Sequence, residues 1–236
     1  MPHSNHPYTA AQAMQFLKEG NSRFTQGLRS VESMMRSQDL AVLAEKGQKP
    51  FVILVSCADS RVPAEILFDR GPGDVFVCRV AGNIITPAMM GSIEFAAQQF
   101  GTPLCLVMGH TRCGAIKATL QSTIAPPSAS DGVSPNLLTI VKEIEPAALE
   151  TKSRYKNLAD PQELARCTDE AAYVNVQHSL NVMMEKSPVI RSLVQSGKLQ
   201  LAGAVCDIAT GKVDFMKDAG AKLNAPLSET RREASV

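Results

Sequence analysis

The sequence predicts a three-layer α/β fold: a mainly parallel four-stranded sheet with an antiparallel edge strand, flanked by helices. Two short apolar runs, residues 51–55 and 104–108, have the length and continuity of strands that are buried on both faces. Strand-like and helix-like segments alternate along the chain, which is typical of parallel sheets with right-handed crossovers. The 236 residues can enclose one sizeable core, so we expect a single domain that covers residues 1–236.

The elements before the second apolar run follow from periodicity and punctuation. Thr9 is the expected N-cap of an amphipathic helix, or pair of helices, that extends to Leu28. This region has no obvious second surface within one compact chain, so we expect it to pack on a partner subunit. Beyond it we expect a helix at 37–46, a helical turn at 63–68, a strand at 75–80 and a helix at 87–99.

The second half of the chain is expected to be mainly helical. The predicted elements are helices at 114–121, 136–149, 162–186 and 188–195, a strand at 199–207 and a short antiparallel edge strand at 212–216. Residues 122–135 are small, polar and rich in proline, which indicates a surface loop. We expect flexible ends at residues 1–8 and 220–236.

Composition argues against several classes of partner. Lys+Arg 24 against Asp+Glu 23 leaves a net charge of +1, so no global field favours nucleic acid or an anionic membrane. No apolar run approaches the roughly 20 residues that a membrane-spanning helix needs, and the opening residues do not resemble a signal peptide. Six scattered cysteines fit a reducing compartment. We therefore expect a cytoplasmic protein with no nucleic-acid or membrane partner.

Metal-competent residues follow both apolar runs. Cys57 comes after the first run, and His110 and Cys113 form a His-x-x-Cys pair after the second. If the two strands are parallel neighbours, their carboxyl ends open into one crevice, where such sheets bind ligands. This donor set suits zinc and suits magnesium or calcium poorly. Three protein ligands with an open fourth position would make a catalytic zinc site, which activates water near neutral pH.

Asp59 and Arg61 lie just beyond Cys57. Asp59 could close the zinc shell as a fourth ligand, or Arg61 could hold that carboxylate by two charge-assisted hydrogen bonds and leave the position to water. In the second case Asp59 would accept a hydrogen bond from the activated water and fix its orientation. The plainer alternatives are a structural ion pair here, and packed core thiols with a satisfied histidine at the three metal positions.

At these residues the chain resembles the β-class carbonic anhydrases, in the segments 57–65, 73–83, 109–115 and 207–212. The resemblance implies a zinc enzyme that interconverts carbon dioxide and water with bicarbonate and a proton. It also implies a homodimer or a multiple of dimers, with the active sites at the dimer interface.

The resemblance also implies roles for individual residues. It identifies the zinc ligands as Cys57, His110 and Cys113, and the dyad that controls access to the zinc as Asp59 and Arg61. It further places substrate contacts at Gln48, Phe76, Ala81 and Phe95. The plant enzymes of the family carry valine and tyrosine in place of Ala81 and Phe95, so the resemblance implies an apolar substrate wall but does not fix its shape.

Two other functions stay open at this point. Some relatives on this scaffold hydrolyse carbonyl sulfide or carbon disulfide, although their ligand loops differ from this one. A non-catalytic zinc or nucleotide-binding module is the other, but residues 71–73 lack the Gly-x-Gly-x-x-Gly spacing of a dinucleotide site.

One branch of the family is controlled by bicarbonate that binds beside a tryptophan three residues before the first zinc ligand. This chain has Leu54 there and contains no tryptophan, so we expect such control to be absent. Arg79 weakens that expectation, because it matches an arginine that helps to bind the anion in the regulated branch.

Overall fold

A five-stranded sheet forms the middle layer of the computed structural model, which describes residues 6–30, 37–125 and 134–217. Its strands are β1 (Val52–Ser56), β2 (Val75–Arg79), β3 (Leu104–His110), β4 (Gln200–Cys206) and β5 (Val213–Met216), in the order β2-β1-β3-β4-β5. The first four strands are parallel, and β5 is antiparallel to β4 at the edge. The predicted fold class is confirmed.

Eight α-helices flank the sheet in the described part of the chain. They are α1 (Ala10–Thr25), α2 (Ser37–Lys46), α3 (Ala64–Leu67), α4 (Pro87–Gln99), α5 (Gly114–Ile124), α6 (Pro135–Lys152), α7 (Pro161–Lys186) and α8 (Pro188–Gln195). Four of them begin with a capping side chain followed by proline, a pair that satisfies a free amide and fixes φ for the first turn; the caps are Thr86, Ser134, Asp160 and Ser187. Local chemistry therefore sets where these helices start.

The register of the central strands brings two chain segments to one edge of the sheet. Every residue of β1 and β3 is buried, as the continuous apolar runs predicted. Ser56, the last residue of β1, pairs with Met108, so β3 extends two residues further, to His110. The segment after β1 and the end of β3 therefore meet at the carboxyl edge of the sheet.

Helix α1 packs on its own chain. Ala13 and Leu17 are fully buried, and Gly20 lies against the backbone of Phe68. The Asn21 side chain donates to the carbonyls of Leu67 and Gly211 at 3.1 and 2.9 Å. The premise that this helix has no surface within its own chain is therefore wrong. Leu28, beyond the end of α1, is 54% exposed.

Replacing Gly20 with alanine is expected to destabilise the fold. A Cβ atom at this position would lie 1.8 Å from the carbonyl oxygen of Phe68, so the helix must move away from α3. Overpacking of this kind costs about 1–3 kcal/mol, and a backbone neighbour leaves little room to adapt. Urea unfolding followed by circular dichroism measures the change.

Gly91→Ala is the matched control, because a Cβ atom on this α4 glycine meets nothing within 4 Å in the described chain. Alanine is the better helix former, so Gly91→Ala should unfold at the wild-type denaturant concentration or above it. A Gly20→Ala midpoint as high as that of the wild type would contradict the close packing of α1 on α3.

The loop expected at residues 122–135 is shorter where the structure describes it, since α5 continues to Ile124 and α6 begins at Pro135. Residues 126–133 and the two chain ends, 1–5 and 218–236, lie outside the described residues. Of the helices that are described, none has both the length and the apolar character needed to cross a bilayer.

Candidate metal centre

Three ligand atoms converge at the carboxyl edge of the sheet. Cys57 follows β1, His110 ends β3, and Cys113 is the residue before α5. Their ligand atoms all lie within 4.8 Å of one another, and all three residues are buried. This clustering argues against the plainer interpretation of separate core thiols and a satisfied histidine.

The His110 ring is prepared to bind a cation through Nε2. Its Nδ1 lies 2.8 Å from the Thr111 carbonyl oxygen, which only accepts hydrogen bonds, so the proton belongs on Nδ1. Nε2 is buried and has no hydrogen-bond partner among the described residues. A buried nitrogen within 4.8 Å of two thiol sulfurs matches the donor set that zinc prefers, so the residues fit this metal.

The pKa values of the two thiols are shifted in opposite directions. A hydrogen bond from Cys113 is the largest cause that lowers the pKa of Cys57, and the Gly82 amide adds a donor at 3.3 Å from its sulfur. The pKa of Cys113 is raised, chiefly by this interaction with Cys57 and by burial. A bound metal cation would favour the deprotonated form of both thiols, because cysteine binds metals as the thiolate.

Asp59 is turned toward Arg61. The Nε and Nη2 atoms of Arg61 donate to the two carboxylate oxygens at 2.9 and 2.7 Å, and its backbone amide donates to Oδ1 at 2.9 Å. This fork holds the pKa of the Asp59 carboxyl well below its usual range. The Asp59 Oδ2 atom is 4.0 Å from His110 Nε2. The carboxylate therefore borders the ligand cluster while it remains paired with the guanidinium.

Arg79 positions the loop that carries Cys57 and Asp59. This last residue of β2 donates from Nε to the Cys57 carbonyl at 3.0 Å and from Nη2 to the Asp59 carbonyl at 2.5 Å. Sequence reasoning considered Arg79 only as an anion-binding residue of the regulated branch. The strand pattern offered one signal for this role, since Arg79 stands at the same sheet edge as Cys57.

A short 3₁₀ turn, Ala81–Asn83, supports Cys57 from the other side and is itself held by α7. Asn175 donates to the Gly82 carbonyl at 2.8 Å, and Ser179 donates to the Asn83 carbonyl at 3.1 Å. Gly82 has a φ of 73°, and a Cβ atom there would lie 2.4 Å from Ile144 Cδ1. A side chain at position 82 would therefore be strained, which favours glycine there. Sequence reasoning did not identify Asn175 or Ser179.

The four expected substrate residues are not brought together within one chain. Ala81 lies in the turn beside Cys57. Phe76 and Phe95 contact each other, with ring centroids 6.3 Å apart, and Phe95 is 53% exposed. Gln48 is exposed and precedes β1, at the amino edge of the sheet.

The three-layer fold and the Cys-His-Cys cluster together indicate a mononuclear zinc enzyme. The family model described as carbonic anhydrase matches residues 52–213. The chain is 36% identical to carbonic anhydrase 2 of Mycobacterium tuberculosis over 214 residues, which cover 90% of this chain and 93% of that one. It is 34% identical to the carbonic anhydrase of Mycolicibacterium smegmatis, over 93% of this chain and 98% of that one.

Two solved structures are similar as well. The β-carbonic anhydrase CcaA has a TM-score of 0.64 and 26% identity, over 87% of this chain and 92% of that one. The Coccomyxa β-carbonic anhydrase, solved with acetazolamide, has a TM-score of 0.62 and 26% identity, over 85% and 91%. The chain therefore belongs to the carbonic anhydrase family, and its fold is that of the β class.

Proposed function

We propose that this chain catalyses the reversible hydration of carbon dioxide to bicarbonate and a proton, with zinc held by Cys57, His110 and Cys113. One observation carries the proposal: the three ligand atoms lie within 4.8 Å of one another, while the neighbouring Asp59 carboxylate is paired with Arg61. Zinc bound at this cluster would supply Lewis-acid activation of water near neutral pH.

The residues around the cluster orient the reacting water. An ionised Asp59 only accepts hydrogen bonds, so it would hold the water by its O–H and aim a lone pair at the carbon of carbon dioxide. Arg61 keeps that carboxylate ionised and paired at the border of the ligand cluster. Arg79 fixes the backbone that carries both Cys57 and Asp59.

The position of Gln48 supports action in the site of a second subunit. The five residues of β1 lie between Gln48 and Cys57 and alone span about 17 Å along an extended strand, which a glutamine side chain cannot bridge. β2 is the outer strand of the described sheet, and the exposed Phe95 lies against Phe76 on it. We therefore assign Gln48, Phe76, Ala81 and Phe95 to substrate contacts in a homodimer, or a multiple of dimers, built across this edge.

Gln48→Ala is expected to lower kcat/KM about 10-fold or more, the effect of one lost hydrogen bond to substrate in a partly buried site. Stopped-flow hydration assays measure the change. Gln195→Ala, which removes another exposed glutamine at the end of α8, is the matched control and should leave kcat/KM unchanged. A wild-type kcat/KM in Gln48→Ala would show that Gln48 is a loop residue with no role in substrate binding.

Mixed dimers test whether Gln48 acts across the interface. Cys57→Ser lacks a zinc ligand but keeps Gln48, whereas Gln48→Ala keeps all three ligands. Refolding the two variants together should restore activity, because one site of each mixed dimer then has intact ligands and a partner glutamine. Activity that only averages the two separate variants would show that Gln48 does not act in the partner's site.

The alternative substrates are less favoured. The curated relatives reported above are named carbonic anhydrases, not carbonyl sulfide or carbon disulfide hydrolases. A sulfide-release assay on the same preparation as the hydration assay separates these activities.

We also propose a cytoplasmic location, in line with the six cysteines, which are all unpaired thiols.

A further inference from the structure

The backbone turn between His110 and Cys113 is tied to α7. Arg112 has a φ of 54°, in the left-handed region that residues with a side chain rarely adopt. Its amide donates to Oδ1 of Asp169 at 2.6 Å, across 57 residues of sequence. A charged acceptor at this distance makes a strong hydrogen bond. One carboxylate on α7 therefore stabilises the unusual conformation of Arg112.

Packing does not replace this hydrogen bond. Arg112 and Asp169 both line a cleft of about 750 Å³ between α5 and α7, so the outer side of the turn is not enclosed by other side chains. On the inner side, Thr111 is held by β4 and the residues after it: its amide donates to the Cys206 carbonyl at 2.9 Å, and its hydroxyl accepts from the Ile208 amide at 3.0 Å. Asp169 is thus the anchor at Arg112, and β4 is the anchor at Thr111.

We propose that Asp169 is a positioning residue for the metal centre, which acts by holding Arg112 so that Cys113 faces His110 and Cys57. The backbone direction at Arg112 decides where the next residue points. If φ relaxed to a negative value, the Cys113 sulfur would leave the cluster in which the three ligand atoms lie within 4.8 Å of one another. The inference rests on the zinc site of the proposed function.

Helix α7 is a suitable frame for this anchor because it packs tightly on β3. A Cβ atom at Gly109 would lie 3.0 Å from Val176 Cγ2 and 3.2 Å from the Ala172 carbonyl oxygen. The same helix holds the turn beside Cys57 through Asn175. One rigid helix therefore sets the distance between the two segments that carry the metal ligands, and Asp169 links it to the second of them.

Zinc affinity tests the proposal. Asp169→Ala is expected to raise the zinc dissociation constant about 10-fold or more, the usual effect of losing a group that orients metal ligands. Competition with a coloured chelator measures it, and the visible bands of the cobalt-substituted protein report any change in ligand geometry. Asp169→Asn keeps an oxygen acceptor, so it should recover most of the affinity and the wild-type cobalt spectrum. Glu185→Ala, which removes an exposed carboxylate from the far end of α7, is the control.

A double-mutant cycle with Arg112→Gly separates positioning from general stability. Glycine adopts the left-handed region without strain, so Asp169→Ala should cost less zinc affinity in the Arg112→Gly background than in the wild type. If Asp169→Ala does not fold, Asp169→Ser in the two backgrounds provides the same comparison, because the serine side chain is too short to accept from the Arg112 amide as Asp169 does.

Three results would overturn the role of Asp169: wild-type zinc affinity and cobalt spectrum in Asp169→Ala, an Asp169→Asn variant as weak as Asp169→Ala, or an equal loss in both backgrounds. A wild-type protein that binds no zinc would instead overturn the proposed function.

Discussion

Cys57→Ser, His110→Ala and Cys113→Ser are each expected to abolish carbon dioxide hydration and to lower zinc occupancy. Each change removes one of the three donors that the described residues bring together in a buried cluster, and the two donors that remain cannot hold the metal in a fixed geometry. Elemental analysis after dialysis gives zinc per chain, and stopped-flow assays give turnover. X-ray absorption at the zinc edge of the wild type should show two sulfurs, one nitrogen and one light oxygen ligand.

Cys167→Ser is the matched control for the two cysteine variants. Cys167 is also a buried thiol, but it lies within α7, where a serine hydroxyl can bond to the carbonyl of the preceding turn. The Cys167→Ser variant should keep full zinc occupancy and wild-type turnover. A ligand variant that kept both would remove its residue from the site.

Asp59→Ala is expected to keep zinc and to lose about 100-fold in kcat, since the reacting water would lose the group that orients it. Arg61→Ala should lose activity by a different route. With its guanidinium gone, the Asp59 carboxylate is free to turn toward the ligand cluster, because Oδ2 already lies 4.0 Å from His110 Nε2. Kinetics, zinc analysis and zinc-edge absorption on both variants distinguish the two effects.

The pair also allows a test of coupling. The double variant Asp59→Ala, Arg61→Ala should be about as active as Asp59→Ala alone, because Arg61 acts through the carboxylate. Arg61→Lys should recover little, since one ammonium cannot replace the two-pronged contact with both carboxylate oxygens. Loss of stoichiometric zinc in Asp59→Ala would show that the residue is a permanent ligand and not a paired neighbour.

The parts of the site that sequence could predict are those governed by short-range pattern. Cys57 and His110 each follow a continuous apolar run, and the rule that parallel strands end at one edge brings them together. Arg61 lies two residues from Asp59, so their pairing needed only local geometry. In each case the information lies within a few residues along the chain.

The supports of the site could not be predicted in this way. The hydrogen bond from Arg112 to Asp169 spans 57 residues, and that from Asn175 to the Gly82 carbonyl spans 93. Both hydrogen bonds depend on how α7 packs on the sheet. The local sequence around these residues does not predict that packing.

The surface that α1 covers could not be predicted from the sequence either. Helical periodicity marks an apolar stripe, but here the packed face also includes Gly20 and Asn21, whose fit against the neighbouring backbone emerges only in three dimensions.

The long-range supports have a consequence for the order of events in folding. All three ligands lie before residue 114, yet their backbone is held by Asp169, Asn175 and the end of β4. A nascent chain that has emerged only through α5 carries every donor atom but lacks the partners that orient them. In zinc fingers the metal drives the chain to fold. Here the partners that orient the donor atoms lie in the carboxyl-terminal third, so we expect metal loading to follow the docking of that part of the chain.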